Sequence, residues 1–89
     1  MSKIEVYSKD YCPYCVKAKD LLKQKGLKFT EIDVTHDEKG YNIMVNRSNG
    51  RKTVPEIFID GVCIGGCDDL YELEKTGELD ELLNKHKEK

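Results

Sequence analysis

The chain has 89 residues, the size of one small domain, and we assign residues 1–89 to that domain. Its residues are 38% apolar and 36% charged, so we expect a modest core beneath a charged surface. The net charge of −2 argues against a nucleic-acid partner, and no apolar stretch is long enough to span a membrane. We expect a monomer and, since the N-terminal residues show no apolar signal region, a location in the reducing cytoplasm.

The first half of the chain predicts two strand–helix pairs. Residues 3–8 alternate in polarity, which is typical of a β-strand. Pro13 suits the first position of a helix that has Cys12 as its N-cap, and Gly26 suits its end. Thr35–Glu38 has the pattern of a capping box, which opens another helix. In chain order we expect a strand over 3–8, a helix from Pro13 to about Lys25, a strand over 28–34, and a helix that begins near Thr35 and ends at Asn49–Gly50.

The second half predicts a hairpin and two further helices. Two short β-branched runs, 56–60 and 62–65, meet at Asp60–Gly61, which is a strong signal for a type I′ turn. Gly65–Gly66 leads into a helix that Gly77 interrupts, and a leucine pattern over 79–83 marks a last short helix. The order β-α-β-α-β-β-α-α implies an α/β fold with a mixed four-stranded sheet flanked by helices. Its first two strands should be parallel and its hairpin antiparallel.

The cysteine pair in Cys12-Pro13-Tyr14-Cys15 is the most informative feature of the chain. It lies at a strand-to-helix junction, where N–H groups without helical partners and the helix dipole favour a thiolate over a thiol. We predict that Cys12 is the nucleophile and that Cys15, one turn further and on the inward face, is the resolving thiol. The cations close to Cys12 in sequence are Lys9, Lys17 and Lys19. This pattern predicts a thiol–disulfide oxidoreductase with a redox-active disulfide.

The other two cysteines leave alternatives open. Cys63 and Cys67 could join the pair in a metal or iron–sulfur site, but their unmatched spacing and the stiff Pro13 turn argue against one, so we expect no metal. A secreted disulfide scaffold is also the weaker interpretation, since the periodic segments need no cross-links. Cys63 fits a strand position, whereas Cys67 opens a helix, which could lower the pKa of its thiol.

Two further motifs, together with the cysteine pair, point to a family. Thr53-Val54-Pro55 precedes the predicted hairpin, and Gly65-Gly66-Cys67-Asp68-Asp69 follows it. With C-P-Y-C, and in this order, they resemble the dithiol glutaredoxins of the thioredoxin-fold superfamily over residues 3–83. The resemblance implies a thioredoxin-like fold and a cis peptide bond before Pro55 that faces Cys12. The polar loop 48–52 departs from the family, and we expect it to bring a basic residue near the site.

The resemblance also implies a site for glutathione, a tripeptide with two carboxylates and one amine. The backbone of Val54 would pair with the cysteine of glutathione, and the helix start at Gly66–Asp68 would hold the γ-glutamyl carboxylate. An acid of this helix start would pair with the amine, and Lys9 would pair with the glycine carboxylate. Equally, the acids fit simple helix caps, and Lys9 fits a solvated surface charge. The residues implied to bind glutathione are Lys9, Tyr14, Thr53, Val54, Pro55, Gly66, Cys67, Asp68 and Asp69, with Arg47 or Arg51 assisting Lys9.

These features predict an enzyme of electron transport and cell redox homeostasis. It would be a glutathione-dependent oxidoreductase that reduces protein–glutathione mixed disulfides and protein disulfides. Its partners would be glutathione, as co-substrate, and glutathionylated or disulfide-bonded client proteins, with no bound cofactor. The alternative is an electron donor of the same fold that thioredoxin reductase supplies. That donor needs the cysteine pair and Pro55 but no groups for the ends of glutathione, so residues 65–69 and Lys9 favour glutathione.

Overall fold

The computed structural model describes residues 3–87, with side chains to residue 83, and confirms the predicted order of elements. These elements are β1 (Ile4–Ser8), α1 (Pro13–Gln24), β2 (Thr30–Asp33), α2 (Glu38–Arg47), β3 (Glu56–Ile59), β4 (Val62–Gly65), α3 (Cys67–Thr76) and α4 (Glu78–Lys87). Within the described range, no helix has the length and apolar character needed to cross a membrane.

The four strands form one mixed sheet in the order β2-β1-β3-β4. β1 runs parallel to β2, with Glu5 opposite Thr30 and Ser8 opposite Asp33. β1 is antiparallel to β3, and β3 is antiparallel to β4, as predicted for a crossover followed by a hairpin. Because β1 lies between β2 and β3, the loop that carries Cys12 leaves the middle of the sheet.

The sheet has a core on each face because successive strand residues point to opposite sides. One core joins the strands to α1, α3 and α4, and the other joins them to α2. The first comprises Ile4, Val6, Ala18, Leu21, Leu22, Ile57, Ile59, Cys67, Leu70, Leu79 and Leu83. The second comprises Tyr7, Val34, Met44 and Phe58. The arrangement has three layers, helices–sheet–helix, and both cores reach the strand ends that surround the cysteine pair.

Residues with strong local preferences form the turn between β3 and β4 and the start of α1. Asp60 and Gly61 both have positive φ, 51° and 85°, which is the geometry of a type I′ turn and confirms the predicted hairpin. Pro13 occupies the start of α1, and Cys12 is the N-cap, also as predicted.

The second strand and the second helix begin at least two residues later than predicted. The second strand covers Thr30–Asp33 rather than 28–34. The N-cap of α2 is Asp37, whose carboxylate accepts the Gly40 N–H at 2.9 Å. Thr35 instead donates its hydroxyl to Asp33 at 2.6 Å and accepts the N–H of Asp10 at 2.7 Å. Thr35 therefore links the loop after β2 to the loop that leads to Cys12.

Candidate active site

The cysteine pair lies at the first turn of α1, as predicted. Cys12 and Cys15 form a disulfide with a Cα–Cα separation of 5.1 Å. Cys12 is half-buried, whereas Cys15 is only 1% exposed. The sulfur of Cys12 also accepts the backbone N–H of Cys15 at 3.1 Å. An incoming thiol or disulfide therefore finds Cys12 the more accessible sulfur, in keeping with its predicted role as nucleophile.

The backbone supplies a hydrogen bond to the sulfur of Cys12. Lys19 forms an ion pair with Glu31 at 2.7 Å. Lys9 lies over the ring of Tyr41, and Lys17 lies over the ring of Tyr71. All the lysines near Cys12 in sequence thus have other contacts. The Cys15 N–H at the helix start is the group that is placed to stabilise a thiolate on Cys12.

A cleft of about 290 Å³ opens beside the cysteine pair. The peptide bond between Val54 and Pro55 is cis, as predicted, and the Val54 carbonyl oxygen lies 3.9 Å from the Cys12 sulfur. The cleft is lined by Tyr14, Arg51, Thr53, Val54, Pro55, Gly66, Cys67, Asp68 and Asp69. The structure thus brings together every residue predicted to bind glutathione except Lys9, and it adds Arg51 from the polar loop.

Lys9 and Arg47 lie apart from this cleft. Lys9 lines a neighbouring depression, where its ammonium is 4.7 Å from the centre of the Tyr41 ring. Arg47 is 2.9 Å from the Glu5 carboxylate, donates to the Tyr7 hydroxyl at 2.9 Å, and lies over the ring of Phe58. Of the two arginines expected near the site, the structure places Arg51 at the cleft and uses Arg47 to hold α2 against the sheet.

The start of α3 forms the second wall of the cleft. Gly66 is its N-cap, and the Asp69 carboxylate accepts the Gly66 N–H at 2.9 Å. A β-carbon on Gly66 would come within 3.2 Å of the Pro55 carbonyl oxygen, so the absence of a side chain lets the two walls lie close together here. The arrangement directs the first turn of α3, with its orphan N–H groups, at the same cleft as Cys12.

The sequence and the fold both resemble known proteins. The sequence matches the family model for glutaredoxins over residues 4–64. It is 51% identical over 83 residues to Glutaredoxin 3 of Escherichia coli (strain K12), which covers 93% of this chain and 99% of that protein. This chain belongs to the glutaredoxin family.

Solved glutaredoxins share the architecture as well. The crystal structure of a buckwheat glutaredoxin–glutathione complex superposes with a TM-score of 0.83 at 35% identity, covering 94% of this chain and 78% of that one. The solution structure of glutaredoxin from Brucella melitensis gives a TM-score of 0.79 at 48% identity, covering 91% and 87%. The fold of this glutaredoxin is therefore the thioredoxin fold, and Cys12–Cys15 is the redox-active pair of a thiol–disulfide oxidoreductase.

The remaining cysteines of the glutaredoxin are not activated. Burial raises the pKa of the Cys67 thiol, so the expected lowering at the helix start is wrong. Cys67 is only 6% exposed, and the cost of burying a thiolate outweighs the favourable effect of the Lys17 charge on its pKa. Burial likewise raises the pKa of Cys63, whose sulfur lies 3.5 Å from the Glu56 carboxylate. Across the described residues, no three potential metal ligands of the Cys, His, Asp or Glu type cluster together.

Glu56 is the residue near the cleft that sequence reasoning missed. Its side chain is fully buried, directly after Pro55, and it contacts Arg51, Thr53 and Cys63. The sequence contains a signal for this residue, which is its charge at the start of the otherwise apolar run 56–59. A charged residue at such a position must either face solvent or find partners inside the protein.

Proposed function

We propose that this glutaredoxin is a glutathione-dependent oxidoreductase that reduces protein–glutathione mixed disulfides and protein disulfides. The cleft is the observation that supports this most, since it unites two backbone segments and charges of both signs, and its Val54 carbonyl lies 3.9 Å from the Cys12 sulfur. The buckwheat relative, which was solved with glutathione, gives independent support for this ligand.

Each part of glutathione has a partner of suitable chemistry in the cleft. The first N–H groups of α3 suit the γ-glutamyl carboxylate, and the acids Asp68 and Asp69 suit its amine. The Val54 backbone, beside the Cys12 sulfur, suits the backbone of the cysteine of glutathione. Arg51 supplies a cation for a carboxylate. We propose that Lys9 reaches the glycine carboxylate by moving away from the Tyr41 ring.

The proposed reaction with a mixed disulfide has two steps. The Cys12 thiolate attacks the glutathione sulfur, which forms a Cys12–glutathione disulfide and releases the client thiolate, which takes up a proton. A second glutathione thiolate then attacks the sulfur of the bound glutathione. This step forms glutathione disulfide and returns Cys12 as a thiolate, so each client thiol that is released consumes one free glutathione.

With a protein disulfide, Cys15 takes part. Cys12 first attacks one sulfur of the client and forms a mixed disulfide with it. Cys15, as a thiolate, then attacks the Cys12 sulfur and releases the reduced client, which leaves the Cys12–Cys15 disulfide that the structure contains. Two glutathiones then reduce this disulfide in turn and leave as glutathione disulfide. No resident cofactor is needed, because glutathione is the co-substrate.

A coupled assay with glutathione, glutathione reductase and NADPH tests the proposal. With a glutathionylated peptide as substrate, we expect NADPH loss that depends on this glutaredoxin. Cys12→Ser should abolish it, whereas Cys15→Ser should retain it and lose only the reduction of protein disulfides. Reduction by thioredoxin reductase but not by glutathione would instead assign the chain to the thioredoxin-like donors. We further propose that the protein acts as a cytoplasmic monomer on glutathionylated and disulfide-bonded clients.

A further inference from the structure

Glu56 is a buried charge for which the proposed reaction has no use. It is the first residue of β3 and directly follows Pro55, and its side chain is 0% exposed. Among the described residues, it is the only buried acid. Burial of a carboxylate is strongly unfavourable unless charged and hydrogen-bonding partners replace the lost water, so the contacts of Glu56 reveal why it is tolerated.

Those contacts come mainly from the loop that lines the cleft. The Nε of Arg51 lies 3.1 Å from one carboxylate oxygen of Glu56. The hydroxyl of Thr53 donates to the same oxygen at 3.0 Å. The thiol of Cys63, on the paired strand β4, lies 3.5 Å from the other oxygen. One buried group thus ties residues 51 and 53 to the hairpin formed by β3 and β4.

Arg51 carries the effect of this anchor into the cleft. Its side chain is 46% exposed and lines the cleft wall. A terminal nitrogen lies 3.5 Å from the Asp69 carboxylate, across the cleft on α3. Guanidinium is planar and has donors on three nitrogens, so contact through Nε fixes its plane, with one terminal nitrogen near Asp69 and the other available to a further carboxylate.

We propose that Glu56 is a positioning residue of this cleft, which holds Arg51 through Nε so that a terminal nitrogen faces a carboxylate of glutathione. The inference rests on the proposed function, since it takes glutathione as the ligand. An arginine that is already fixed loses less rotamer freedom when the ligand binds, so the anchor strengthens binding without touching the ligand. The effect belongs to binding and not to the chemistry at Cys12.

Two substitutions show whether Glu56 holds Arg51 through a hydrogen bond or acts only as a negative charge near it. Glu56→Gln keeps an oxygen acceptor at the same place but removes the charge, whereas Glu56→Met fills similar space with no strong acceptor. We expect Glu56→Met to raise the apparent KM for the glutathionylated peptide in the coupled assay by roughly tenfold, the size of one lost hydrogen bond to a charged group. We expect kcat to change less than about twofold, and Glu56→Gln to restore most of the KM, because the acceptor remains.

Matched variants show whether the effect passes through Arg51. Arg51→Gln should raise the KM similarly. Adding Glu56→Met to the Arg51→Gln variant should raise the KM little further, because the guanidinium that Glu56 holds is already absent. Glu72→Gln removes an exposed carboxylate from α3 and serves as the charge control. An unchanged KM in Glu56→Met, equal shifts in Glu56→Met and Glu56→Gln, or a loss confined to kcat would each overturn the proposal.

The wild-type protein provides a second test that does not depend on the folding of a variant. The Nε–H of Arg51 should give a proton resonance that exchanges slowly with water, because a buried carboxylate holds it. Rapid exchange of that resonance would overturn the anchor. Absence of NADPH loss that depends on the wild-type protein in the coupled assay would refute the proposed function itself. Normal saturation with an unaltered KM in Glu56→Met would refute the anchor alone.

Discussion

Asp69 makes two contributions that substitution can separate. Its carboxylate accepts the Gly66 N–H at 2.9 Å and so caps α3. It also lines the cleft, where we propose that its charge binds the amine of glutathione. Asp69→Asn keeps an oxygen acceptor for the cap and loses the charge, whereas Asp69→Ala loses both. The first variant should therefore affect binding alone, and the second should affect binding and stability.

The sizes of both effects follow from the structure. Loss of the cap should lower the free energy of unfolding by about 1 kcal/mol, which corresponds to roughly 4–8 °C in Tm for a domain of this size. The Asp69 side chain is 50% exposed, so solvent screens its charge. We therefore assign the charge only about 1 kcal/mol of binding, or roughly a fivefold rise in the KM for the glutathionylated peptide.

Thermal unfolding followed by circular dichroism, with the coupled assay on the same samples, measures both effects. Asp69→Asn should unfold near the wild-type temperature with a raised KM, and Asp69→Ala should show both changes. Asp20→Asn, an exposed acid on α1, is the control for removing one negative charge. If Asp69→Asn lost as much stability as Asp69→Ala, the cap would depend on charge, and if its KM were unchanged, Asp69 would not bind the amine.

Two further predictions concern groups whose pKa is shifted. The Arg47 guanidinium holds the pKa of Glu5 below its usual value of 4.5, so this pair stabilises the fold above that pH and the contribution is lost as the pH falls through the lowered pKa. Urea unfolding should show the wild type more stable than Glu5→Gln at pH 7, with the difference shrinking below about pH 4.5; a difference independent of pH would contradict this. In the reduced protein, iodoacetamide should label Cys12 at pH 7 far faster than Cys67, since burial raises the pKa of Cys67. Peptide mapping by mass spectrometry measures both rates, and equal rates would show that Cys67 is an activated thiol.

The elements could be predicted from sequence because their signals are local. Asp60–Gly61 needs positive φ at two adjacent positions, and Pro13 needs a helix start, so neither depends on distant residues. The start of α2 was predicted two residues early, because Thr35 and Asp37 are both suitable caps in sequence. Only the structure shows that the Thr35 hydroxyl already forms hydrogen bonds with the Asp10 N–H and the Asp33 carboxylate.

The members of the cleft were foreseen through family motifs, but their electrostatics were not. The pKa of Cys67 depends on how deeply α3 packs against the sheet, which a motif does not state. The contact of Lys9 with Tyr41 depends on where α2 lies. The role of Glu56 also could not be predicted from the sequence. A buried carboxylate can be interpreted only when its partners are known, and these come from the loop before β3 and from β4.

The outer edge of the sheet has a consequence for aggregation. β2 is an edge strand that is only four residues long and carries exposed Glu31 and Asp33. Lys19 and Ser8 hold the pKa of Glu31 below its usual range, so the edge keeps negative charge. Short, charged edges discourage the addition of a strand from another chain. A protein whose proposed clients are disulfide-bonded polypeptides thereby discourages their extended segments from joining its sheet at β2.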